Sequence, residues 1–122
     1  MQTPEIETRR FETPDQRLDM KARGGISIVK LADGSAGMHA IFEPGWTWEA
    51  DEKPLLGSPD SCPMRHTGYC ISGNLVVRMI GSGVETHLST GDFFEIPPGH
   101  DAWVDGEERV ELILFAPPEH QH

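Results

Sequence analysis

The sequence has few of the features that mark membrane, secreted or nucleic-acid-binding proteins. No apolar run approaches the length of a membrane span. The N-terminal stretch MQTPEIETRRFETPDQ has no apolar core, so no secretory signal is predicted and the expected location is the cytoplasm. Only 10 basic residues accompany 20 acidic ones, which gives a net charge of −10. Because such a surface repels phosphate backbones and anionic lipid, we expect neither nucleic acid nor a membrane as a partner.

Motifs of the large enzyme classes are also missing. The sequence has no G-x-x-x-x-G-K-[ST], no G-x-S-x-G, no H-E-x-x-H and no G-x-G-x-x-G opening a helix. The segment GSGVET at 81–86 is glycine-rich, but it joins two predicted strands and has no helix behind it to hold a phosphate. Asp51-Glu52 and Glu107-Glu108 are carboxylate pairs in predicted turns, and we expect them to be solvated.

Turn-forming residues are plentiful and indicate the fold class. Thirteen glycines and 10 prolines separate short apolar runs along the 122 residues, which is typical of an all-β sandwich or barrel in one domain. No segment keeps a helical apolar period over three turns. One short helix is predicted over Pro14–Met20, where Thr13 would cap the first turn.

About eight strands follow from these signals. We divide the chain into an N-terminal arm (1–24), a barrel (25–116) and a C-terminal tail (117–122). A tight hairpin is predicted at Ser72-Gly73-Asn74, and a long polar loop at 50–61. The predicted strands are residues 25–31, 38–42, 66–71, 75–80, 84–88, 93–96, 103–104 and 110–115.

Two segments of the sequence resemble the motifs of one known protein superfamily. GDFFEIPPGH, at 91–100, is similar to the second cupin motif, G-x5-P-x-G-x2-H, with Gly91, Pro97 and Gly99 at its spacing. The run His66–Gly73 is similar to the end of the first motif, and EPGWTW and PPGHDAWV resemble one subgroup of uncharacterised cupins. The resemblance implies a double-stranded β-helix, a jelly roll of two antiparallel sheets. It also implies a homodimer, since small cupins are often dimers.

The resemblance bears on metal binding as well. Cupins that bind a metal use three ligands from the first motif and one from the second, and the matching positions here are Asp60, Cys62, His66 and Ala102. Every ligand of the family pattern is therefore replaced. Cys62, His66 and His100 can still bind a divalent transition metal (Zn, Fe, Mn or Ni), because Cys and His are metal ligands themselves and His100 shares strand parity with Ala102. Asp51 and Asp60 are further candidates.

A set of polar and aromatic side chains is predicted to line the cavity of such a barrel. Trp46 and Trp48 share one face of an extended segment, and Cys70 shares the face of His66. Cys70 also fits a purely structural place in the core, and Cys62 would be a nucleophile only if a neighbour lowered its pKa. The predicted ligand-binding residues are Trp46, Trp48, Cys62, His66, Cys70, His100, Asp101 and Trp103.

Two functions from different classes remain open from the sequence. One is a barrel that binds a small molecule in its cavity, in a regulatory or sensory role. The other is a metal-dependent enzyme of the dioxygenase, isomerase or decarboxylase type with a non-standard His/Cys ligand set. The fold alone does not choose between them. The replaced ligands favour the binding module.

Overall fold

Nine strands in two antiparallel sheets make up the computed structural model, which describes residues 5–118. The strands are β1 (Gln16–Asp19), β2 (Gly24–Lys30), β3 (Ala36–Phe42), β4 (His66–Ser72), β5 (Asn74–Met79), β6 (Glu85–Ser89), β7 (Phe93–Ile96), β8 (His100–Val104) and β9 (Val110–Ala116). The six-stranded sheet has the order β1-β2-β3-β9-β4-β7, and the three-stranded sheet has the order β6-β5-β8. The predicted all-β double-stranded β-helix is thus confirmed.

Alternation of side chains along the strands builds the core between the sheets. In β9, Val110, Leu112 and Leu114 are buried, and the residues between them are half-buried on the other face. In β8, His100 and Ala102 are buried in the same alternating pattern. Side chains at every second position therefore point to the interior, where they can line a cavity.

The predicted helix over Pro14–Met20 is wrong, because residues 16–19 form the edge strand β1. This strand pairs antiparallel with β2, from Gln16 opposite Ile28 to Asp19 opposite Gly25. The Asp15 carboxylate accepts a hydrogen bond from the Lys30 backbone N–H at 2.7 Å. These contacts with β2 are long-range in sequence, and they outweigh the weak local preference for a helical turn.

The predicted hairpin at Ser72-Gly73-Asn74 is also wrong, because the strands that flank it do not pair. Strand β4 belongs to the six-stranded sheet and β5 to the three-stranded sheet, so Gly73 lies where the chain crosses between sheets. Gly73 has φ +89°, and a Cβ there would lie 2.5 Å from the Arg109 carbonyl oxygen. Glycine is required at this corner both for its backbone conformation and for the close approach.

The predicted polar loop at 50–61 begins instead with ordered helical turns. A π-helical turn covers Trp48–Glu52 and a 3-10 turn covers Lys53–Leu56. Thr47 caps the first turn, since its hydroxyl accepts from the Ala50 N–H at 3.1 Å. The turn buries Glu52, which is 8% exposed, so the solvation expected for that carboxylate is wrong. Among residues 5–118 no helix has the length and apolar character needed to cross a membrane.

Candidate functional site

A cavity of about 260 Å³ lies in the interior of the barrel and is lined by side chains of both sheets. Most of its wall is aliphatic or aromatic, including Trp46 and Trp48. Its titratable lining groups are Glu52, Cys62, His66 and His100, and no Lys or Arg of the described residues lines it. The exposed side chains of Leu55 and Met64 line its solvent side. The cavity is therefore apolar, with one group of titratable side chains.

Cys62, His66 and His100 come together in this cavity. One ligand atom from each lies within 4.8 Å of the others. The Cys62 Sγ lies 3.7 Å from the His66 Nε2, and the two imidazole centroids are 5.4 Å apart. His66 begins β4 and His100 begins β8, so the two rings come from different sheets.

Backbone hydrogen bonds hold Cys62 beside β8. The Cys62 N–H donates to the His100 carbonyl at 2.9 Å, and the Gly99 N–H donates to the Cys62 carbonyl at 2.8 Å. The side chain of Cys62 is 1% exposed. The segment before β4 thus crosses from one sheet to the other and fixes the sulfur between the two histidines.

Burial keeps the three groups in their uncharged forms. It lowers the pKa of His66 to about 4, with a further contribution from the nearby His100, and it also lowers the pKa of His100. Burial raises the pKa of the Cys62 thiol to about 11; the Met64 backbone and the Trp48 indole oppose this rise, and the nearby Glu52 carboxyl adds to it. A nucleophilic thiol needs a lowered pKa, so Cys62 is not poised for nucleophilic chemistry.

The orientation of His100 suits a ligand role. Its Nδ1–H donates to the Pro97 carbonyl at 2.8 Å, which fixes the tautomer and leaves Nε2 as the acceptor nitrogen. In a tetrahedral zinc site with ordinary bond lengths, a sulfur and a nitrogen ligand lie about 3.6 Å apart. The observed 3.7 Å between Cys62 Sγ and His66 Nε2 matches that spacing. This group could hold a metal ion.

Glu52 is a cavity residue that sequence reasoning missed. Its carboxyl group makes no hydrogen bond with the described residues, and burial raises its pKa to about 7. Trp48 lies four residues earlier on the same turn, and it also lines the cavity. The i, i+4 spacing of a tryptophan and a glutamate is a weak signal of a shared face. This spacing places two side chains on one face only in a helical segment. A loop was predicted there, so the spacing did not identify Glu52 as a cavity residue.

The two tryptophans of the cavity wall differ in their polar contacts. The Trp46 N–H donates to the Met20 sulfur at 3.1 Å, and its ring stacks on Phe42 with centroids 3.8 Å apart. The Trp48 Nε1 is buried and has no hydrogen-bond acceptor among the described residues. Trp46 is therefore a satisfied wall residue, whereas Trp48 presents a free donor.

Three of the predicted site residues do not line the cavity. Cys70 is buried, but its thiol lies beside the carbonyls of residues 72 and 73, at 3.4 Å from the Ser72 oxygen. Asp101 and Trp103 have the opposite parity to His100 on β8, so they lie on its outer face. Both cysteines are free.

Comparisons with known proteins bear on the fold. No protein-family model matches the sequence, and no curated protein matches it. A solved double-stranded β-helix protein from Klebsiella pneumoniae is 20% identical, with a TM-score of 0.58 over 91% of this chain and 89% of that one. A cupin-like protein from Thermotoga maritima is 18% identical, with a TM-score of 0.54 over 76% and 67%.

A DUF1255 protein of unknown function from Acidithiobacillus ferrooxidans is similar to the chain as well. It is 21% identical, with a TM-score of 0.55 over 83% of this chain and 86% of that one. At this level of identity the likeness concerns the fold alone. The chain has the cupin-like, double-stranded β-helix fold.

Proposed function

We propose that this protein binds a small molecule in its barrel cavity, beside one transition-metal ion held by Cys62, His66 and His100. The convergence of three ligand atoms within 4.8 Å at the wall of an apolar cavity carries this proposal. An apolar pocket with a few convergent polar groups is the usual form of a small-molecule site. The regulatory or sensory role inferred from the sequence is compatible with such a site.

The donor set favours zinc among the candidate metals. One thiolate and two imidazoles are the ligands that zinc prefers, whereas manganese favours oxygen donors. Three protein ligands leave a fourth position for a ligand from the cavity, and a metal there would act as a Lewis acid. The pKa values of His66 and His100 are lowered, so both imidazoles are uncharged near neutral pH, as metal ligands must be.

A metal-dependent enzyme is the second candidate function, and Glu52 favours it. A buried carboxyl group whose pKa is raised to about 7 is suited to accept and return protons near neutral pH. It lines the same cavity as Cys62, His66 and His100. The binding function and the enzyme share one site, so the metal content of that site tests the common part of both.

Elemental analysis of protein purified without chelator tests the proposal. We expect about one equivalent of metal in the wild type, or after reconstitution with zinc, and its loss in His66→Ala. His87→Ala is the matched control, because His87 is an exposed histidine outside the cavity. Circular dichroism would verify that each variant is folded. Equal metal content in wild type and His66→Ala, or none after reconstitution, would contradict the site.

A further inference from the structure

The cavity contains the buried polar atoms that lack partners. Among residues 5–118 these atoms are the Trp48 Nε1 and the His66 Nδ1, and both side chains line the cavity. Buried N–H groups are almost always hydrogen-bonded, because leaving one unpaired is costly. Because the Trp48 side chain lines the cavity, a molecule bound there can complete the hydrogen bond of the Trp48 N–H.

The π-helical turn Trp48–Glu52 carries a hydrogen-bond donor and an acceptor four residues apart, and both side chains line the cavity. Trp48 offers an indole N–H, and Glu52, a residue that is 8% exposed, offers a carboxyl group. The two side chains are not hydrogen-bonded to each other. The indole lies close enough to the Cys62 sulfur to lower the thiol pKa slightly, but the Trp48 N–H and the sulfur do not meet the geometry of a full hydrogen bond. Both polar groups are therefore available to something in the cavity.

A hydroxyl group is the polar head that satisfies both residues at once. Its hydrogen can be donated to the Glu52 carboxyl, and its oxygen can accept from the Trp48 N–H. An ammonium group would pair with Glu52 but has no lone pair for Trp48. A carboxylate would lie beside Glu52 in a cavity that no Lys or Arg of the described residues lines.

The rest of the cavity defines the body of the ligand. Its walls are aliphatic and aromatic, and Leu55 and Met64 line its solvent side with exposed apolar side chains. Apolar walls on this scale favour burial of an apolar body. A cavity of about 260 Å³ has room for a ligand the size of a substituted benzene ring.

We propose that the Trp48–Glu52 turn recognises the neutral hydroxyl group of a small apolar molecule of the phenol class. The hydroxyl donates to the Glu52 carboxyl and accepts from the Trp48 Nε1–H, while the ring packs against the apolar wall. This proposal rests on the proposed function in taking the cavity as the ligand site. It does not require the metal.

Three probes of similar shape test this recognition on the zinc-treated, full-length protein. Phenol has a hydroxyl that donates and accepts, anisole has an oxygen that only accepts, and toluene has neither. We expect phenol to bind about tenfold more tightly than anisole, because anisole leaves Glu52 without a donor. In heteronuclear NMR spectra phenol should shift the Trp48 indole signal strongly. The signals of Trp46, already bonded to Met20, and Trp103, outside the cavity, are internal references.

Variants on the turn identify the groups responsible. Trp48→Phe and Glu52→Met should each reduce the preference for phenol over anisole to about threefold or less while the metal content stays unchanged. Glu49→Met is the matched control, because Glu49 is an exposed carboxylate on the same turn. His66→Ala and Cys62→Ser should have the opposite pattern, with loss of metal and a retained preference for phenol.

Several results would overturn the proposal. The wild type could bind the three probes with equal affinity, or bind none of them. It could bind benzylamine more tightly than phenol. The preference for phenol over anisole could also remain in both Trp48→Phe and Glu52→Met. A preference lost in His66→Ala but kept in the turn variants would place the hydroxyl at the histidine cluster instead. A protein without metal that still prefers phenol would overturn the metal site and leave this inference intact.

Discussion

At the scale of single residues, burial decides the chemistry of the histidine and cysteine cluster. An exposed histidine gains a proton near pH 6.5, but burial and the neighbouring His100 lower the pKa of His66 to about 4. Burial raises the pKa of the Cys62 thiol to about 11. Above pH 5 His66 is therefore already in the metal-binding form, the pKa of His100 is lowered as well, and Cys62 is the group that must lose a proton.

This difference predicts how zinc affinity depends on pH. Binding to Cys62 releases one proton, so the affinity should rise about tenfold per pH unit, or about a hundredfold from pH 5.5 to 7.5. Two histidines of ordinary pKa would make the affinity depend more steeply on pH below 6.5. The pKa of about 4 removes the contribution of His66 in this range, and the lowered pKa of His100 reduces the contribution of His100. Competition titrations with a chelating dye would give the slope, with Cys62→Ser expected to have a nearly flat profile. A slope near three protons in the wild type would show that the histidines titrate too.

Residue-level prediction from the sequence succeeded where strand parity decides the direction of a side chain. Strand parity and motif spacing predicted that the side chains of His66 and His100 point into the barrel from opposite strands. The structure has both imidazoles there, one from β4 and one from β8. The same parity places Asp101 and Trp103 on the outer face of β8, so neither side chain lines the cavity. Glu52 could not be predicted, because its burial depends on a π-helical turn that is capped by Thr47 and packed against the barrel.

At the scale of elements, the corners between strands carry the most specific constraints. Gly73 and Gly99 both have positive φ, at +89° and +92°. A Cβ at Gly73 would lie 2.5 Å from the Arg109 carbonyl oxygen and 2.7 Å from the Val110 Cα, whereas at Gly99 it would meet nothing within 4 Å. The two glycines share a backbone conformation and differ in the space around it.

The contrast predicts different costs for one substitution. Gly99→Ala should lower the free energy of unfolding by about 1 kcal/mol, the cost of the left-handed conformation alone. Gly73→Ala should lower it by about 3 kcal/mol or more, because the chain must also move away from Arg109 and Val110. Urea unfolding of both variants would measure the difference. Equal losses in the free energy of unfolding would mean that the backbone around Gly73 moves readily to make room for a Cβ.

Element prediction was accurate in position and less so in pairing. Glycine and proline marked the ends of strands, so the seven longer predicted strands lie within two residues of the observed ones. Turn residues do not specify which sheet the next strand joins, and the hairpin at Gly73 was wrong for that reason. Strand β1 was missed because its four residues are mostly exposed and carry no apolar alternation.

At the scale of the whole molecule, the cluster joins the two sheets. His66 lies on the six-stranded sheet and His100 on the three-stranded sheet, while Cys62 is hydrogen-bonded to β8 in the segment that leads into β4. The unfolded chain does not hold these three side chains together. A metal bound to all three would therefore bind the folded state preferentially and stabilise the contact between the sheets.

Thermal unfolding with and without zinc measures this linkage. At a free zinc concentration of about a thousand times the dissociation constant, binding adds about 4 kcal/mol to the free energy of unfolding. For a domain of this length, that gain corresponds to a rise in Tm of more than about 10 °C. His87→Ala should keep the rise, and His66→Ala should lose it even if its metal-free Tm is close to that of the wild type. A rise of the same size in His66→Ala would show that zinc acts elsewhere on the acidic surface and does not join the sheets.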